Sequence, residues 1–372
     1  MANVVSQLQK IVLAGGGTGG HVTPALALAD AFRAQIPACD VLFIGTPQGM
    51  EATLVPKRGW RIETVPGSRL VGGGLLAKLK GVVNLLQGIL AARAILQREK
   101  PSLVIGVGGY ASGAALLAAR TLGIPTAVHE SNAVPGLTNR VLGVLVDRVY
   151  LGFAAARGEF PRDSSLVSGN PVRPEIRRVG GTRGDGIPAG RLPRVLIVGG
   201  SQGSEFLNGH VPGLLAALAE LGVPVEVRHQ VGKLDGAPVA ARYTDHGLAH
   251  TVESFIDDMA AAYTWADFAI TRSGSGTVAE LAAAGLPALL VPFPHAAGDH
   301  QAANAKAFAA AGAGAWVRQG DWNEARLAQN LKELLRNAQK WQAASQAARV
   351  MAGRDAALAV VEDCQEWLGA RG

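Results

Sequence analysis

The sequence predicts an α/β protein built from two Rossmann-like domains, each with a parallel sheet. Short apolar, β-branched runs alternate with Ala/Leu-rich helical stretches, a strand–glycine loop–helix opening occurs twice, and 372 residues are many for one core. Runs such as Ile11–Leu13 are apolar on both faces, which predicts helices on both sides of the sheet. We expect the two domains to face each other across a cleft.

The candidate strands of the first half are Lys10–Ala14, Val41–Gly45, Leu103–Val107, Thr126–His129 and Asp147–Leu151. The pattern starts again at Arg194–Val198, where a second glycine loop follows and a helical stretch runs to Leu221. Further candidate strands are Val225–His229, Phe268–Thr271 and Ala288–Val291.

The domain boundary is predicted from the composition between the two halves. Arg177–Pro193 is rich in Gly, Pro and Arg, which favours a loop at the start of the second domain, with a hinge in Gly169–Pro174. We therefore predict an N-terminal domain over 1–173 and a C-terminal domain over 174–354. A last helix, about 355–372, is expected to pack back on the first domain.

Composition limits the classes of protein. Hydrophobic residues make up 48% and charged residues 17%, which argues against disorder. The net charge of +6 favours anionic partners such as phosphates or an acidic membrane face. Nucleic acid is disfavoured, because aromatic residues are only 5% and no dense Lys/Arg block interleaves with them.

The cysteines and the apolar stretches bear on location. Cys39 and Cys364 lie far apart without a CxxC pair, which predicts neither a disulfide framework nor a zinc site and fits a reducing cytosol. The segment Met1–Lys10 has mixed polarity, unlike a signal peptide. Since no apolar stretch reaches the roughly 18 residues of a spanning helix, a soluble or peripheral protein is expected.

The first glycine loop, Gly15-x-Gly17-x-x-Gly20, formally matches the dinucleotide fingerprint. An NAD site also requires an acidic residue at the end of the second strand, and the only nearby acid, Asp40, precedes that strand. The loop still allows close backbone approach and places a phosphate at a helix N-terminus. His21, in the first helical turn, is either a general base or a partly exposed helix residue.

The second half offers a similar set of donors. Ser201, in the second glycine loop, can bind a phosphate oxygen, and Thr271–Thr277 is another donor-rich segment before a helix. Glu280 either closes a capping box with Thr277 or accepts hydrogen bonds from ribose hydroxyls. Gln301 and Asn304 share a helix face, and their amides suit sugar hydroxyls.

A metal site is disfavoured. His295 and His300 lack a third ligand at useful spacing, and no Asp-x-Asp pair is present to hold a cation against a diphosphate. The charge of a leaving group is therefore expected to fall on helix N-termini and on Arg173.

Several segments occur together in one order along the chain. They are Gly16–His21, Gly108–Gly113, His129–Asn132, Gly169–Arg173, Gly199–Gly203, Phe255–Met259, Arg272–Gly274 and the helix with Gln301 and Asn304. This series resembles the MurG family of bacterial N-acetylglucosaminyltransferases over nearly the whole chain.

The resemblance implies a GT-B fold and an inverting transfer of N-acetylglucosamine from UDP-GlcNAc, without a cofactor. The implied acceptor is the C4 hydroxyl of the muramyl sugar of undecaprenyl-pyrophosphoryl-MurNAc-pentapeptide (lipid I), and the product is lipid II for peptidoglycan synthesis. The enzyme would lie on the cytoplasmic face of the bacterial inner membrane, as a peripheral protein on an anionic surface.

The resemblance also implies site residues. His21 matches the general base, Glu130 is a second catalytic candidate, and the acceptor would contact Gly16, Gly17, Tyr110 and Asn132. The donor would contact Thr18, Gly19, Gly20, Asn132, Arg173, Ser201, Ile256, Ser275, Gly276, Thr277, Val278, Ala279, Glu280 and Gln301. Departures from the family pattern are Ser131, Gly276 and one extra residue in the loop Pro294–Gln301.

The segment Arg69–Arg98 is a candidate membrane contact. Its apolar residues at helical spacing are Leu75, Leu76, Leu79, Val83, Leu86 and Leu90, and its bases are Arg69, Lys78, Lys80 and Arg93. Such a stripe either lies on an anionic bilayer or packs on the sheet with solvated lysines. Gly81 and Gly88 predict an interruption of the helix.

Three alternatives to the implied reaction stay open from the residues alone. One is another GT-B enzyme, such as a lipid glycosyltransferase or a UDP-GlcNAc 2-epimerase. The others are an NAD-dependent oxidoreductase and a non-catalytic binder of nucleotide sugars or lipid carriers.

Overall fold

The computed structural model describes residues 8–17, 19–67, 75–200 and 202–370, without the side chains of residues 75–80. The chain divides into two compact units. The first unit is Met1–Arg173 together with Arg354–Gly372, and the second unit is Pro174–Gly353.

The first unit contains a seven-stranded sheet whose strand pairs are all parallel. Its strands are β1 (Lys10–Ala14), β2 (Asp40–Gly45), β3 (Arg61–Thr64), β4 (Leu103–Gly106), β5 (Thr126–Glu130), β6 (Arg148–Leu151) and β7 (Ser165–Val167). Its first five helices are α1 (Gly19–Gln35), α2 (Glu51–Lys57), α3 (Leu75–Glu99), α4 (Tyr110–Thr121) and α5 (Leu137–Gly143), and two short 3₁₀ turns cover Ala154–Glu159 and Arg162–Ser164. The strand order is β3-β2-β1-β4-β5-β6-β7.

The central strand β1 shows why this sheet is covered on both faces. Ile11 and Leu13 are buried in one core with Phe32 of α1. Val12 and Ala14, which point the other way, are buried in a second core that includes Leu116 of α4. The alternation of side chains along a strand therefore supplies both layers of the unit.

The second unit contains a six-stranded parallel sheet in the order β10-β9-β8-β11-β12-β13. Its strands are β8 (Arg194–Val198), β9 (Glu226–Gln230), β10 (Ala249–Glu253), β11 (Phe268–Thr271), β12 (Ala288–Leu290) and β13 (Gly314–Trp316). Its helices are α6 (Pro174–Thr182), α7 (Glu205–Glu220), α8 (Ala237–Asp245), α9 (Met259–Trp265), α10 (Ser275–Ala283), α11 (His300–Ala310), α12 (Glu324–Arg336) and α13 (Ala338–Ala352), with 3₁₀ turns at Ala297–Asp299 and Gln319–Asp321.

The last helix, α14 (Ala356–Gly369), packs on the first unit rather than the second. Val360 and Trp367 are buried in the same core as Phe32. The hydroxyl of Tyr150, on β6, donates to Asp363 Oδ2 at 2.8 Å. Apolar contact and a hydrogen bond therefore both tie the C-terminal helix to the sheet of the first unit.

Two expectations about helices are wrong. The stretch Arg177–Pro193 is not all loop, because α6 extends through Thr182; Pro174 starts it and Ile176 and Val179 are buried on one side. Glycines do not interrupt α3, which is continuous from Leu75 to Glu99. A Cβ on Gly88 would lie 2.9 Å from the carbonyl oxygen of Pro66, so this glycine permits close packing of the helix.

Both sheets share one topology. In each, the first strand lies inside the sheet, between the strand that follows it and the fourth strand of the unit. Successive strands are added on one side of β1 up to β3 and on the other side from β4 onward, and the same change of side occurs between β8 and β11. Ligands of such sheets bind beyond the carboxyl ends of the strands at this switch point, so each unit has one expected binding place.

Candidate functional site

The glycine segments after β1 and β4 are in direct backbone contact. Gly15 N donates to the carbonyl of Ile44 at 2.9 Å, and Gly16 N donates to the carbonyl of Gly108 at 3.2 Å. A Cβ on Gly109 would lie 2.6 Å from the Gly16 carbonyl oxygen. The two loops meet at the switch point of the first sheet because glycine leaves room for the approach.

His21 lies in the first turn of α1, half-buried, with its ring against Gly108. A Cβ on Gly108 would lie 2.7 Å from both Cε1 and Nδ1 of this ring. The histidine is therefore placed over the second glycine segment by the helix that the first one opens.

A cavity of about 550 Å³ lies beside these loops. Its lining includes Gly16, Gly17, His21 and Tyr110, so the structure brings four predicted acceptor-side residues together. Burial raises the pKa of Tyr110, and its hydroxyl makes no hydrogen bond within the described ranges. A neutral phenol with this free hydroxyl is suited to bind a polar ligand group.

The cavity lining also contains Glu51, which the sequence analysis missed. The statement that Asp40 is the only acid near the end of β2 is therefore wrong. Glu51 accepts hydrogen bonds from Gly17 N at 2.7 Å and from Thr46 N at 2.8 Å. Since this carboxylate binds the protein's own loop, it does not restore the ribose contact of an NAD site.

Glu130 and Asn132 follow β5. Glu130 Oε1 accepts from Asn132 N at 2.8 Å and from Asn132 Nδ2 at 3.2 Å. Glu130 Oε2 accepts from Gly136 N at 3.1 Å and from Asn139 Nδ2 at 2.9 Å. The Glu130 side chain is buried, and these four donors are what it binds. This geometry suits a residue that orients Asn132 more than one that exchanges a proton with substrate.

The residue before it, His129, is also buried. Its Nε2 lies 3.3 Å from the carbonyl oxygen of Gly169, and burial lowers the pKa of His129 to about 4. The ring is therefore neutral at physiological pH.

In the second unit, the loop after β8 leads into α7. Ser204 caps this helix by accepting from Leu207 N at 3.2 Å, and Gly203 N donates to the carbonyl of Gly200 at 2.9 Å. Behind the loop, His229 Nδ1 lies 2.9 Å from the Tyr243 hydroxyl, and burial lowers the pKa of His229 to about 3. Ser201, the predicted phosphate contact, lies outside the described residues, as does Thr18 in the first loop.

The helix α10 begins at Ser275 and has Gly274 as its N-cap, without a side-chain cap. Thr277 is the third residue of the helix, so the capping box of Thr277 with Glu280 is wrong. Glu280 Oε2 instead accepts from the Tyr263 hydroxyl at 3.0 Å. A Cβ on Gly276 would meet nothing within 4 Å, so there is open space over the first turn of the helix.

The amides of Gln301 and Asn304 have different surroundings. Gln301 Oε1 accepts from two backbone N–H groups, of Ser273 at 3.3 Å and of Phe293 at 3.0 Å. Because both partners are donors, the oxygen must face them, which leaves the NH₂ group for a ligand. Asn304 is fully buried and donates to the Ser273 carbonyl at 3.2 Å, so its expected contact with sugar hydroxyls is wrong.

The remaining predicted donor residues are spread over both units. Gly19 and Gly20 form the first turn of α1, and Arg173 is half-buried directly before α6. The side chains of Val278 and Ile256 are buried in the second unit, while Ala279 is half-buried.

Two rows of exposed apolar side chains lie on α3 and α5, the helices that contact α4 on either side. The α3 row is Val82, Val83, Leu86 and Leu90; the α5 row is Leu137 and Val141 on the helix, continued by Val144 and Leu145 directly after its last residue. The sequence analysis missed the α5 row, although its apolar residues recur at helical spacing around Arg140. The other predicted members of the α3 stripe, Leu75, Leu76, Lys78, Leu79 and Lys80, and Arg69 before it, lie outside the described side chains.

The described chain contains neither a candidate membrane-spanning helix nor a candidate metal cluster. No helix there is both long enough and apolar enough to cross a membrane. No three His, Cys, Asp or Glu side chains in the same ranges lie close enough together to hold a metal ion.

Comparison with known proteins assigns both units. Residues 11–151 match the glycosyltransferase family 28 N-terminal domain, and residues 194–360 match the glycosyltransferase family 28 C-terminal domain. The crystal structure of Acinetobacter baumannii MurG superposes with a TM-score of 0.79 at 34% identity, covering 96% of this chain and 99% of that one. The chain is accordingly a glycosyltransferase with the GT-B fold.

Two curated relatives extend over almost the whole chain, and both are named UDP-N-acetylglucosamine–N-acetylmuramyl-(pentapeptide) pyrophosphoryl-undecaprenol N-acetylglucosamine transferase. The protein of Alkalilimnicola ehrlichii is 44% identical over 356 residues, covering 96% of this chain and 98% of its own length. The protein of Geobacter sulfurreducens is 39% identical over 357 residues, covering 95% and 97%. The chain therefore belongs to glycosyltransferase family 28 and, within it, to the MurG family of N-acetylglucosamine transferases.

Proposed function

We propose that this enzyme transfers N-acetylglucosamine from UDP-GlcNAc to the C4 hydroxyl of the muramyl sugar of lipid I, with inversion, and so forms lipid II. One observation carries the proposal: each unit has its own glycine loop and helix start at the switch point of its sheet. Two such sites give the donor and the acceptor of a transfer one binding place each.

The acceptor is assigned to the first unit. The cavity beside β1 and β4 carries His21 and Tyr110, and its glycine walls leave space for a sugar ring. The imidazole of a histidine can accept a hydroxyl proton at neutral pH, which supports His21 as the base.

The donor is assigned to the second unit. The first turn of α10 presents backbone N–H groups without a side-chain cap, as a diphosphate requires. Glu280, on the same helix, carries a carboxylate, which can accept hydrogen bonds from two ribose hydroxyls. The NH₂ group of Gln301 can donate to a hydroxyl of the GlcNAc ring.

In the reaction, the acceptor C4 oxygen forms a bond to C1 of GlcNAc while His21 takes the hydroxyl proton. The bond between C1 and the phosphate oxygen breaks, and its electron pair leaves with UDP. The α-linked donor therefore gives a β-1,4 product. The proposal uses no cofactor or metal, because helix N-termini, Arg173 and Ser201 stabilise the charge on UDP.

The exposed apolar rows of α3 and α5 support a peripheral contact with the bilayer that holds the lipid acceptor. Arg93 and Arg140 lie on the same two helices, which favours an anionic surface. The corresponding place in the cell is the cytoplasmic face of the bacterial inner membrane. Nucleic acid is not expected as a partner.

The test is an assay of UDP release with UDP-GlcNAc and a short-chain lipid I analogue, with and without EDTA. We expect release only when the acceptor is present, and no effect of EDTA. If no UDP is released when both substrates are present, the proposed reaction is contradicted. Formation of an epimerised nucleotide sugar in the absence of acceptor would indicate an epimerase. Loss of activity with EDTA would contradict only the proposal that the reaction needs no metal ion.

A further inference from the structure

A buried carboxylate lies beneath the acceptor-side glycine loop. Glu51, the first residue of α2, is 2% exposed. It accepts from Gly17 N at 2.7 Å through Oε2, and from Thr46 N at 2.8 Å and Thr46 Oγ1 at 2.9 Å through Oε1. One side chain therefore joins the loop after β1 to the end of β2.

Three glycines make the space for this carboxylate. A Cβ on Gly16 would lie 2.0 Å from Glu51 Cδ, one on Gly49 would lie 2.1 Å from Oε2, and one on Gly45 would lie 2.4 Å from Cγ. Distances this short exclude any side chain at these positions while Glu51 keeps its place. Some of the glycines that suggest a ligand-binding loop in the sequence therefore make room for a buried acidic side chain of the protein itself.

The charge of Glu51 is not neutralised by an ion pair with any lysine or arginine of the described ranges. Its charge is balanced by N–H and O–H donors, and charge-assisted bonds of this kind are strong. In a phosphate-binding loop the N–H of the second glycine would point at the ligand. Here Gly17 N–H already binds an anion that belongs to the protein.

We propose that Glu51 is a positioning residue: it fixes the glycine loop after β1 and keeps the diphosphate of the acceptor out of it, so that the loop contacts the sugar. The carboxylate holds Gly16 and Gly17 in the shape that forms the cavity wall beside His21. Its charge also repels a second anion from Gly17 N–H, so the diphosphate of the acceptor lies away from that donor. This inference rests on the proposed function, because it assumes that the cavity binds the acceptor.

The test uses Glu51→Gln, which keeps the size of the side chain but removes its charge and one acceptor oxygen. With UDP-GlcNAc and the short-chain lipid I analogue, kcat is expected to fall by about 10²-fold, because the loop beside the base moves. The KM for UDP-GlcNAc stays unchanged, since the donor is assigned to the other unit. The matched control is Glu362→Gln, an exposed acid on α14 of the same unit.

The affinity for inorganic pyrophosphate separates this proposal from a purely structural role of Glu51, which would leave that affinity unchanged. Titration calorimetry is done with pyrophosphate on the wild type, Glu51→Gln and Thr46→Val, which removes one donor to the carboxylate but keeps its charge. We expect about tenfold tighter binding to Glu51→Gln than to the wild type, and little change for Thr46→Val. Glu362→Gln should match the wild type.

Equal pyrophosphate affinity in wild type and Glu51→Gln, or an unchanged kcat in the variant, would overturn the inference. If Glu51→Gln does not fold, Thr46→Val provides the test. The positioning role predicts a lower kcat for Thr46→Val than for the wild type, and an unchanged kcat contradicts it. Failure of the proposed function has a different signature, because then the wild type itself makes no product, whereas the calorimetric comparison needs no turnover.

Discussion

At the scale of single residues, Glu280 and His21 are assigned roles that kinetics can separate. Glu280 is held by Tyr263 on the donor side, and His21 lies over Gly108 on the acceptor side. The first is proposed to bind a part of the substrate that does not react, while the second takes a proton only as the bond forms.

Glu280→Ala is expected to raise the KM for UDP-GlcNAc by about 10–100-fold with little change in kcat, because a ribose contact is made in the ground state and transition state alike. Initial-rate kinetics with varied donor measures this. Tyr263→Phe is the matched control, since it removes the hydrogen bond to Glu280 but leaves the carboxylate in place. An unchanged KM in Glu280→Ala would rule out the ribose contact.

His21→Ala is expected to lower kcat by about 10²–10⁴-fold, the usual range for loss of a general base. The KM values for both substrates should change little. His246→Ala, at the exposed end of α8, serves as the control. A variant that keeps wild-type kcat would mean that another group accepts the proton.

Two buried histidines predict how stability depends on pH. Burial holds the pKa of His129 at about 4 and that of His229 at about 3, below the ordinary 6.5. At a pH between the folded-state and unfolded-state pKa values, the unfolded chain binds more protons than the folded chain. The contribution of each histidine to the free energy of unfolding is therefore complete above about pH 6.5 and falls as the pH drops. Each histidine contributes a slope of up to about 1.4 kcal/mol per pH unit. Chemical denaturation from pH 7 to pH 5 should show a smaller loss for His129→Gln; an identical loss would contradict the prediction.

Sequence reasoning singled out two residues that the structure places in the lining of one cavity. His21 and Tyr110 each follow a glycine segment directly, so motif and geometry coincide. Glu51 was missed for two reasons. Its hydrogen bond to Gly17 joins residues 34 positions apart, and Glu51 lies on α2, after β2 has ended at Gly45. Helical spacing correctly placed Asn304 beside Gln301, but spacing does not tell which part of a shared face is buried.

At the scale of elements, the strands missed by the sequence analysis are β3, β7, β10 and β13, which are the four edges of the two sheets. Edge strands are partly exposed, so they lack the run of apolar residues on both faces that marks the inner strands. The helix α6 was missed for a similar reason: only Ile176, Val179 and Gly180 of its nine residues are buried.

The apolar rows of α3 and α5 give a prediction at this scale. Leu86→Ser with Leu90→Ser, and separately Leu137→Ser with Val144→Ser, should weaken sedimentation with vesicles containing anionic lipid. Each pair removes exposed apolar area worth about 25 cal/mol per Å² when buried in a bilayer.

Val350→Ser, an exposed apolar residue on α13 of the second unit, is the control for these variants. UDP-GlcNAc binding should stay at the wild-type level throughout. Equal vesicle binding by all variants would show that neither row contacts the membrane.

At the scale of the whole molecule, one topology occurs twice, and we propose that each copy binds a different substrate. The first six strands of each sheet have the same order, yet the loop of the first unit encloses Glu51 while the start of α10 in the second unit is open above Gly276. The repeated motif was readable from the sequence. The resemblance also implied which unit binds which substrate, but not that Glu51 occupies Gly17 N–H, because that contact joins residues 34 positions apart.

The most direct test of the central claim is an NMR analysis of the lipid-linked product formed from UDP-GlcNAc and the short-chain lipid I analogue. The account predicts one added N-acetylglucosamine, joined in the β configuration to C4 of the muramyl sugar. An α linkage, attachment at another hydroxyl, or recovery of unmodified acceptor would contradict it.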